Sequence, residues 1–244
     1  MPQFLVKKSA LGDGKARLDG DEAHHARDVF RLKEGDTIRL FDGDGKGFEG
    51  QISHMGKKDI DIRIFSTHQS EAPPAVLITL GQSLIPHQAM DDVIQQATEL
   101  GVEEIIPVAS RRSIVRLSSP RSHSKKEHWN KVALAGCKQC ERLKVPVIRG
   151  PMDIEDVPEI FGNYDLVLVA DSHWADESLR SCMSKVFNIK KILVIVGPEG
   201  GLTYPEIEML KNRGARIVSL GGYTLRSQTA AIHLLSVISH LYGL

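Results

Sequence analysis

Two short, almost uninterrupted apolar segments constrain the fold of this chain more than any other feature of its sequence. They are Asp165–Ala170 and Ile192–Val196. Strands that are buried on both faces, as in a parallel sheet covered by helices, have this composition. Three further strands are predicted at Ala75–Leu80, Glu104–Val108 and Arg216–Leu220. Because segments of helical spacing alternate with these strands, the pattern predicts an α/β domain with a parallel sheet.

Helical spacing is clearest after the first of these strands. Apolar residues recur there at intervals of three and four, at Met90, Val93, Ile94, Ala97 and Leu100. Gly101 predicts the end of this helix, because glycine adopts the left-handed conformation that closes many helices. Further helices are predicted over Ser124–Leu143, with an apolar stripe at Trp129, Val132, Gly136, Cys140 and Leu143, from Leu179 to Val186, and over Thr229–Leu241.

The first 70 residues follow a different pattern. Short runs rich in β-branched and aromatic residues predict strands at Gln3–Val6, Thr37–Phe41, Phe48–His54 and Ile60–Phe65. One helix is predicted to begin at Asp21. Short strands and a single helix in so small a segment indicate a small barrel or an open sheet. The paired prolines at 73 and 74 indicate a linker, so we place one domain at residues 1–70 and a second at 75–244.

The charge of the chain is balanced overall but unevenly distributed. The sequence has 31 basic and 31 acidic residues, which argues against a protein that is basic throughout. Residues 111–150, however, hold 11 basic and 2 acidic residues, a surplus of 9 positive charges. Local basic density is typical of a polyanion partner. The alternative is a solvated helix face, and we favour contact with phosphate because so few acidic residues lie nearby.

The cysteine content and the absence of long apolar segments predict a cytoplasmic protein. Three cysteines are too few for a disulfide framework, and no run of 18 apolar residues predicts a membrane span. Cys137 and Cys140 have the spacing of half a zinc or redox site, but no second pair follows, so packing in the core is favoured. The pair His24 and His25 likewise lacks further ligands, and no metal is expected.

A glycine-rich loop follows the apolar segment Ile192–Val196. It reads Gly-Pro-Glu-Gly-Gly over residues 197–201. A helix is predicted directly after it, because Thr203 and Glu206 have the spacing of a capping box and Pro205 suits a first helical turn. Glycines at the carboxyl end of a strand let a ligand approach the backbone closely. The spacing matches neither a dinucleotide fingerprint nor a P-loop. The loop is thus either a ligand site, which we favour, or a plain tight turn.

A second loop of the same kind lies near the C-terminus. Residues 220–231 read LGGYTLRSQTAA, with glycines and polar residues leading from a strand into a helix. Two such loops could form one pocket. Arg226 stands between Leu225 and a mostly apolar helix, and burying an arginine there is costly unless it meets an anion or a carboxylate. Glu199 is one candidate for that partner.

The two loops resemble those of the ribosomal RNA small-subunit methyltransferase E family. The resemblance also covers residues 25–36, 95–102 and 137–146, and thus extends over nearly the whole chain. Members of that family use S-adenosylmethionine to methylate N3 of a uridine in small-subunit (16S) rRNA. The resemblance implies a PUA-like, RNA-binding β-barrel domain followed by a SPOUT-type α/β domain with a C-terminal trefoil knot. It also implies a homodimer that acts on rRNA, with the assembled 30S particle favoured as substrate.

The resemblance further implies which residues form the cofactor site. Residues of the two glycine loops and of the preceding strands are expected to bind S-adenosylmethionine: Ala170, Val196, Gly197, Glu199, Gly200, Leu220, Gly221, Thr224, Leu225 and Arg226. The local density of positive charge, rather than the resemblance, indicates the residues expected to bind RNA, which lie in the first domain and in the basic segment: Arg27, Arg31, Arg111, Arg112, Lys125, Lys126 and Arg142.

The chemistry of the substrate points to two of these residues. Uridine N3 carries a proton and is a poor nucleophile, so the enzyme must help to remove that proton and stabilise the charge that spreads onto O2 and O4. Arg226 is the candidate for stabilising this charge or orienting the base. Glu199 is the candidate proton acceptor or, as we favour, the group that fixes Arg226.

Two other functions remain open from the sequence. One is a divergent RNA-binding paralogue that has another target or no catalysis, because Gln88, Gln96 and Gln228 depart from the family's usual residues. The other is a dinucleotide-dependent enzyme on an ordinary α/β sheet, which the missing glycine fingerprint argues against.

Overall fold

The computed structural model describes residues 1–69, 74–113 and 119–243. For residues 119–121 it describes the backbone only. The chain divides into two units. The first consists of Met1–Pro73 and Leu134–Val145, and the second of Pro74–Ala133 and Pro146–Leu244. A division at the proline-rich linker assigns Leu134–Val145 to the second domain, whereas this segment packs with the first unit. The limits 1–70 and 75–244 themselves stay predictions.

The first unit is built on a six-stranded sheet. Its strands are β1 (Gln3–Leu5), β2 (Leu11–Gly12), β3 (Lys15–Asp19), β4 (Thr37–Phe41), β5 (Lys46–Met55) and β6 (Asp59–Gln69). They are arranged in the order β1-β4-β5-β6-β3-β2, and all neighbours are antiparallel except β1 and β4. The four predicted strands are present. β2 and β3 were not predicted from the sequence. In β3 only Ala16 and Leu18 are buried, and they alternate with charged residues.

One helical segment covers this sheet. The helix α1 spans Gly20–His24 and continues as a π-helical turn over His25–Val29. The predicted start at Asp21 was wrong: Asp19 is the N-cap residue, in extended conformation, and Asp21 lies in the first turn. Ala23 and Ala26 are buried and join the core of the unit. This core includes Phe4, Leu18, Ile38, Leu40, Ile52, Ile60 and Ile62.

The second unit contains the predicted parallel sheet. Its eight strands are β7 (Leu77–Ser83), β8 (Glu104–Ala109), β9 (Val147–Ile148), β10 (Met152–Asp153), β11 (Leu166–Ala170), β12 (Glu177–Ser178), β13 (Lys191–Val196) and β14 (Arg216–Ser219). The main order is β10-β8-β7-β13-β11-β14-β12, with β9 also on β8, and every pairing is parallel. The predicted α/β class with a parallel sheet is confirmed. The trefoil knot stays a prediction.

Five helices accompany this sheet along the chain. They are α2 (His87–Glu99), α3 (Ser119–Cys140), α4 (Leu179–Met183), α5 (Tyr204–Asn212) and α6 (Ser227–Tyr242). A 3₁₀ helix spans Val157–Asn163. Gly101 follows α2 with φ of +84°, as expected of a glycine that ends a helix. Within the described residues, no helix is long and apolar enough to cross a membrane.

The long helix α3 differs from its prediction at both ends. It begins at Ser119 rather than at 124 and ends at Cys140 rather than at 143. Glu141 has φ of +62°, a left-handed conformation that cannot continue a helix. The buried stripe also differs from the predicted one, since Val132 and Cys140 are only partly buried. Its buried members are Trp129, Ala133, Gly136 and Cys137.

Cys137 is a packing residue, as the sequence analysis favoured. Its side chain is fully buried, and burial raises the pKa of the thiol to about 12. Because the thiolate is the reactive and metal-binding form, a thiol with this pKa is poorly suited to redox or zinc chemistry at neutral pH. Among the described residues, no cluster of metal-ligating groups includes Cys137, Cys140, His24 or His25.

A buried carboxylate fixes the start of α5. Glu206 is 2% exposed. Its Oε2 accepts hydrogen bonds from the backbone nitrogen of Thr203, at 2.6 Å, and from the Thr203 hydroxyl, at 2.7 Å. This confirms the predicted pairing of the two residues in a capping box. Its Oε1 accepts a third bond, at 2.8 Å, from the backbone nitrogen of Arg111. Glu206 therefore ties the loop after β8 to the first turn of α5.

We predict that Glu206→Ala destabilises the protein substantially. The change leaves three donors without their acceptor, and each hydrogen bond to a charged group contributes about 1.5–3 kcal/mol, so a loss of about 3 kcal/mol or more is expected. Urea denaturation measures the free energy of unfolding. Glu208→Ala on the same helix is the control and should cost less than about 0.5 kcal/mol. Equal losses in both variants would show that the carboxylate contributes nothing specific.

Candidate active site

Three loops meet where three neighbouring strands of the parallel sheet end. β13, β11 and β14 are adjacent and parallel, so their carboxyl ends lie at the same edge of the sheet. The loops that follow them surround a cavity of about 350 Å³. This size falls in the lower part of the range for small-molecule sites, roughly 300–1,000 Å³. Ligands of open α/β sheets bind at such strand ends, and the cavity is therefore the candidate active site.

Most of the residues predicted to bind a cofactor lie in the wall of this cavity. Eight of the ten are part of its lining: Ala170, Val196, Gly197, Glu199, Gly200, Leu220, Thr224 and Leu225. The remaining two, Gly221 and Arg226, do not belong to the lining. The structure thus brings the two glycine-rich loops together around one space, as their similar patterns suggested.

Arg226 is not buried, contrary to expectation. It is exposed and forms the N-cap of α6, in extended conformation. The expectation failed because the preceding loop residues 221–224 are exposed too, so the chain enters the helix at the surface and Arg226 needs no buried partner. Glu199 is also exposed, and within the described part of the chain no ion pair joins it to Arg226. The interpretation that Glu199 fixes Arg226 is therefore unsupported.

A short chain of buried hydrogen bonds holds the two glycine-rich loops together. The Ser227 hydroxyl donates to the carbonyl oxygen of Gly197 at 2.6 Å, and Gln82 Nε2 donates to Ser227 Oγ at 2.9 Å. Gln82, at the end of β7, and Ser227 are both buried. Neither residue was predicted from the sequence. The available signal was that each is a polar residue at the end of an apolar element, Gln82 in β7 and Ser227 in α6.

Gly197 is the glycine of the first loop that most needs to lack a side chain. A Cβ atom at this position would lie 3.1 Å from the backbone nitrogen of Leu202 and 3.2 Å from its Cγ. At Gly200, by contrast, a Cβ would meet only the flexible side chain of Arg112, at 3.4 Å. Gly201 adopts φ of +68°, a conformation that is unfavourable for residues with a Cβ atom. The tight path of the loop therefore depends on Gly197 and Gly201.

Exposed aromatic rings line the same cavity. Trp174 and Tyr204 contact one another with ring centroids 4.8 Å apart and are 47% and 51% exposed, and Tyr223 is 87% exposed. Asp171 shapes the loop that carries Trp174, because its Oδ1 accepts from the backbone nitrogens of His173, at 2.8 Å, and Trp174, at 2.9 Å. Aromatic residues make up only 5% of the sequence, and this low overall content did not indicate that three of them lie together at this cavity.

One of the predicted RNA-binding residues also belongs to the cavity wall. The Arg112 side chain lines the cavity, and its Nη1 donates to the carbonyl oxygen of Gly200 at 2.8 Å. Arg111 is exposed, and its Nε lies 3.7 Å from Glu155 Oε1. Lys125 and Lys126, on α3, are partly buried. Arg111 and these two lysines therefore remain candidates for phosphate contact, whereas Arg112 has a structural role in the first glycine loop.

The other three predicted RNA-binding residues belong to the first unit. Arg27 donates from Nη1 to the carbonyl oxygens of Gly56, at 2.7 Å, and Lys57, at 2.6 Å, and thus holds the turn between β5 and β6. Arg31 is exposed and adopts φ of +54°. Arg142 is partly buried, and its carbonyl oxygen accepts from Gln3 Nε2 at 3.2 Å.

Comparison with known proteins agrees with these observations. The profile of an RNA methyltransferase domain matches residues 72–239, and that of an RNA methyltransferase PUA domain matches residues 18–65. The ribosomal RNA small subunit methyltransferase E of Rickettsia conorii is 31% identical over 232 residues, which are 94% of this chain and 91% of that protein. The enzyme of the same name from Aquifex aeolicus is 31% identical over 89% of this chain and 90% of its own length.

Solved structures extend the agreement to three dimensions. The ribosomal RNA small subunit methyltransferase E from Neisseria gonorrhoeae, bound to S-adenosyl methionine, superposes with a TM-score of 0.87 and 26% identity over 99% of this chain and 98% of that one. A Legionella pneumophila protein in complex with the same cofactor gives a TM-score of 0.89 at 27% identity, over 98% and 97% of the two chains. With its PUA and methyltransferase domains matched along nearly its whole length, the chain belongs to the ribosomal RNA small subunit methyltransferase E family.

Proposed function

We propose that this protein transfers the methyl group of S-adenosylmethionine to N3 of a uridine in small-subunit (16S) rRNA. The observation that carries the proposal is the cavity between the two glycine-rich loops, whose wall contains eight of the ten residues expected to bind the cofactor. Two similar structures contain S-adenosylmethionine, and similar enzymes of Bacillus subtilis and Rickettsia conorii are named ribosomal RNA small subunit methyltransferase E.

The residues of the cavity fit S-adenosylmethionine chemically. Val196, Leu202 and Leu225 offer apolar surface, while the glycine-rich loop 197–201 offers backbone polar groups at close approach. The rings of Trp174 and Tyr204 are inclined to one another at 56°, so each ring separately offers an apolar face of the kind against which a heterocyclic base stacks. When bound, the cofactor supplies a methyl group that is already activated by its positively charged sulfur.

The residues of this chain then have to orient the base, accept the proton that leaves N3 and stabilise the negative charge that develops on the uracil. Arg226, exposed at the start of α6, can donate hydrogen bonds to O2 or O4 of the uracil, where negative charge develops as N3 loses its proton. Glu199 lines the cavity as an exposed carboxylate, and we assign it the role of proton acceptor. This assignment replaces the positioning role expected from the sequence, because no ion pair with Arg226 supports that role among the described residues.

We further propose that the protein acts as a homodimer in the cytoplasm and that the 30S particle is its substrate. A second cavity, of about 630 Å³, lies between α4, β14 and α6, and its wall includes Leu179, Met183, Val237 and Leu241. Leu241 is 54% exposed. Of the apolar residues of α6, Leu235 and Ile238 belong to the core, so the outer surface around Val237 and Leu241 is the one suited to a second copy.

The decisive experiment is nucleoside mass spectrometry of 16S rRNA from a strain that lacks the gene. We expect 3-methyluridine to disappear on deletion and to return on complementation with the intact gene. Loss of a different modified nucleoside would contradict the proposed target. Retention of every modified nucleoside, together with RNA binding by the purified protein, would favour a paralogue without catalysis.

The glycines of the two loops provide a first test. Gly221 adopts φ of +149°, so Gly221→Val strains the second loop by about 1–3 kcal/mol and should weaken S-adenosylmethionine binding at least about tenfold. Gly200→Val should also weaken binding, by displacing Arg112 from the loop. Gly214→Val is the control, because Gly214 has φ of +102° but lies outside the cavity. If calorimetry shows the same affinity for S-adenosylmethionine in Gly221→Val as in this control, the second loop is not part of the cofactor site.

The basic residues provide a test of RNA binding. Replacing Arg111, Lys125 and Lys126 by glutamine should weaken binding to rRNA and lower the slope of log affinity against log salt by about 0.7–0.9 for each lost phosphate contact. Affinity for S-adenosylmethionine should not change, since none of the three lines the cavity. The control replaces Lys190, Lys191 and Arg213, which are exposed. An equal slope in both triple variants would identify the basic segment as a solvated surface.

Arg226 provides the test of catalysis. We predict that Arg226→Ala and Arg226→Lys lower single-turnover methyl transfer at least about a hundredfold, the loss typical of one preorganised charge-stabilising donor. Lysine should not substitute, because it lacks the planar fork of donors. Binding of S-adenosylmethionine should change far less. Arg213→Ala, at the exposed end of α5, is the control. Near-normal turnover in both Arg226 variants would exclude it from catalysis.

A further inference from the structure

Three side chains that commonly bind transition metals converge on one point away from the cavity. His87 and Asp91 lie one helical turn apart on α2, and His128 lies on α3. Their potential ligand atoms are His87 Nδ1, a carboxylate oxygen of Asp91 and His128 Nε2. These atoms all lie within 4.8 Å of one another. None of the three residues lines the cavity between the glycine-rich loops.

The distances in this cluster are close to those of a coordination shell. Asp91 Oδ2 is 3.1 Å from His87 Nδ1 and 2.8 Å from His128 Nε2. In a tetrahedral zinc site with bonds of about 2.0–2.2 Å, neighbouring ligand atoms are about 3.3–3.5 Å apart. The imidazole rings stand edge to face, with centroids 5.0 Å apart. A separation of the side chains by a few tenths of an ångström would therefore make room for an ion.

The two carboxylate oxygens of Asp91 differ in their contacts, and a cation bound by both oxygens would give a partner to the one that has none. Both imidazoles contact the same oxygen, Oδ2. The other oxygen, Oδ1, is buried and has no hydrogen-bond partner among the described residues. A buried acceptor without a partner costs about 1–3 kcal/mol. Nor does any lysine or arginine in the described ranges form an ion pair with Asp91, whose side chain is 16% exposed.

We propose that His87, Asp91 and His128 bind a Zn²⁺ ion that joins α2 to α3. Imidazole nitrogens with one carboxylate are a common donor set for zinc, and three protein ligands leave one position for water. The side chains of His87 and His128 are 58% and 40% exposed, so the ion can enter from solvent and the fourth position faces water. Because none of the three residues lines the cavity between the glycine-rich loops, the ion takes no part in methyl transfer there.

Zinc titration of the metal-free protein tests the proposal. After removal of metals with a chelator, calorimetry with zinc chloride should reveal one site. His128→Gln and Asp91→Asn should each weaken its affinity at least about tenfold, the scale on which even supporting interactions of a metal site act. Circular dichroism verifies that the variants fold. If Asp91→Asn does not fold, His87→Gln replaces it, since His87 is the most exposed ligand.

A matched control exists on the same helix. His123 lies on α3 and pairs with Glu127 at 3.3 Å, and no third possible ligand joins this pair among the residues that the structure describes. His123→Gln should bind zinc as the unaltered protein does. The thermal midpoint of the unaltered protein and of this control should rise with zinc, and that of His128→Gln should not.

Substitution of cobalt identifies the ligands directly. Co²⁺ in the same site should show the visible absorption of a tetrahedral complex, and His128→Gln should abolish it. Equal zinc affinity in the unaltered protein, His87→Gln and His128→Gln would overturn the proposal. So would the absence of any zinc site in the unaltered protein. Neither result bears on methyl transfer, because the proposed function does not depend on this ion.

Discussion

The position of β13 between β7 and β11 determines where every part of the candidate active site lies. In this arrangement Val196 pairs with Gln82 on one side and with Ala170 on the other. The ends of three strands are thereby brought into line, and the chain leaves the sheet there as the first glycine-rich loop. β13 can occupy this place because residues 192–196 are all buried apolar residues, which suit a strand covered on both faces. A charged residue there would have to be buried without a partner.

Buried polar side chains then convert this edge of the sheet into a defined cavity. Ser227 donates to the carbonyl oxygen of Gly197 and itself accepts from Gln82, and Glu206 holds the loop after β8 against the first turn of α5. Hydrogen bonds of this kind are directional, whereas apolar packing is not. The apolar residues therefore account for the stability of the sheet, while these few polar residues fix the course of the loops that a ligand would contact.

The sequence predicted the elements that depend on local pattern and missed those that depend on tertiary contacts. The five longer parallel strands, α2 with Gly101 and the capping box of α5 follow from residues close in sequence, whereas the two-residue strands β9, β10 and β12 were not predicted. β3 was missed because it has only two buried residues, and its pairing with β6 is what makes it a strand. Arg226 was expected to be buried because its neighbours in sequence are apolar. Its exposure, however, depends on the path of the preceding loop at the surface, which the sequence does not indicate. The Trp174–Tyr204 contact joins residues 30 positions apart, so composition could not indicate it.

The exposure of Glu199 and Arg226 has a consequence for catalysis. A charge in water stabilises a developing charge only weakly, because the solvent screens their interaction, whereas the same pair in a dry site interacts several times more strongly. Both residues are exposed in the protein alone, so their full effect requires that water be excluded from the mouth of the cavity. The exposed rings of Trp174, Tyr204 and Tyr223 surround that mouth and offer surfaces that a nucleobase can cover. On the proposed roles of Glu199 and Arg226, an RNA substrate that stacks over these rings would exclude water from both groups and so complete the active site in which its own uridine reacts.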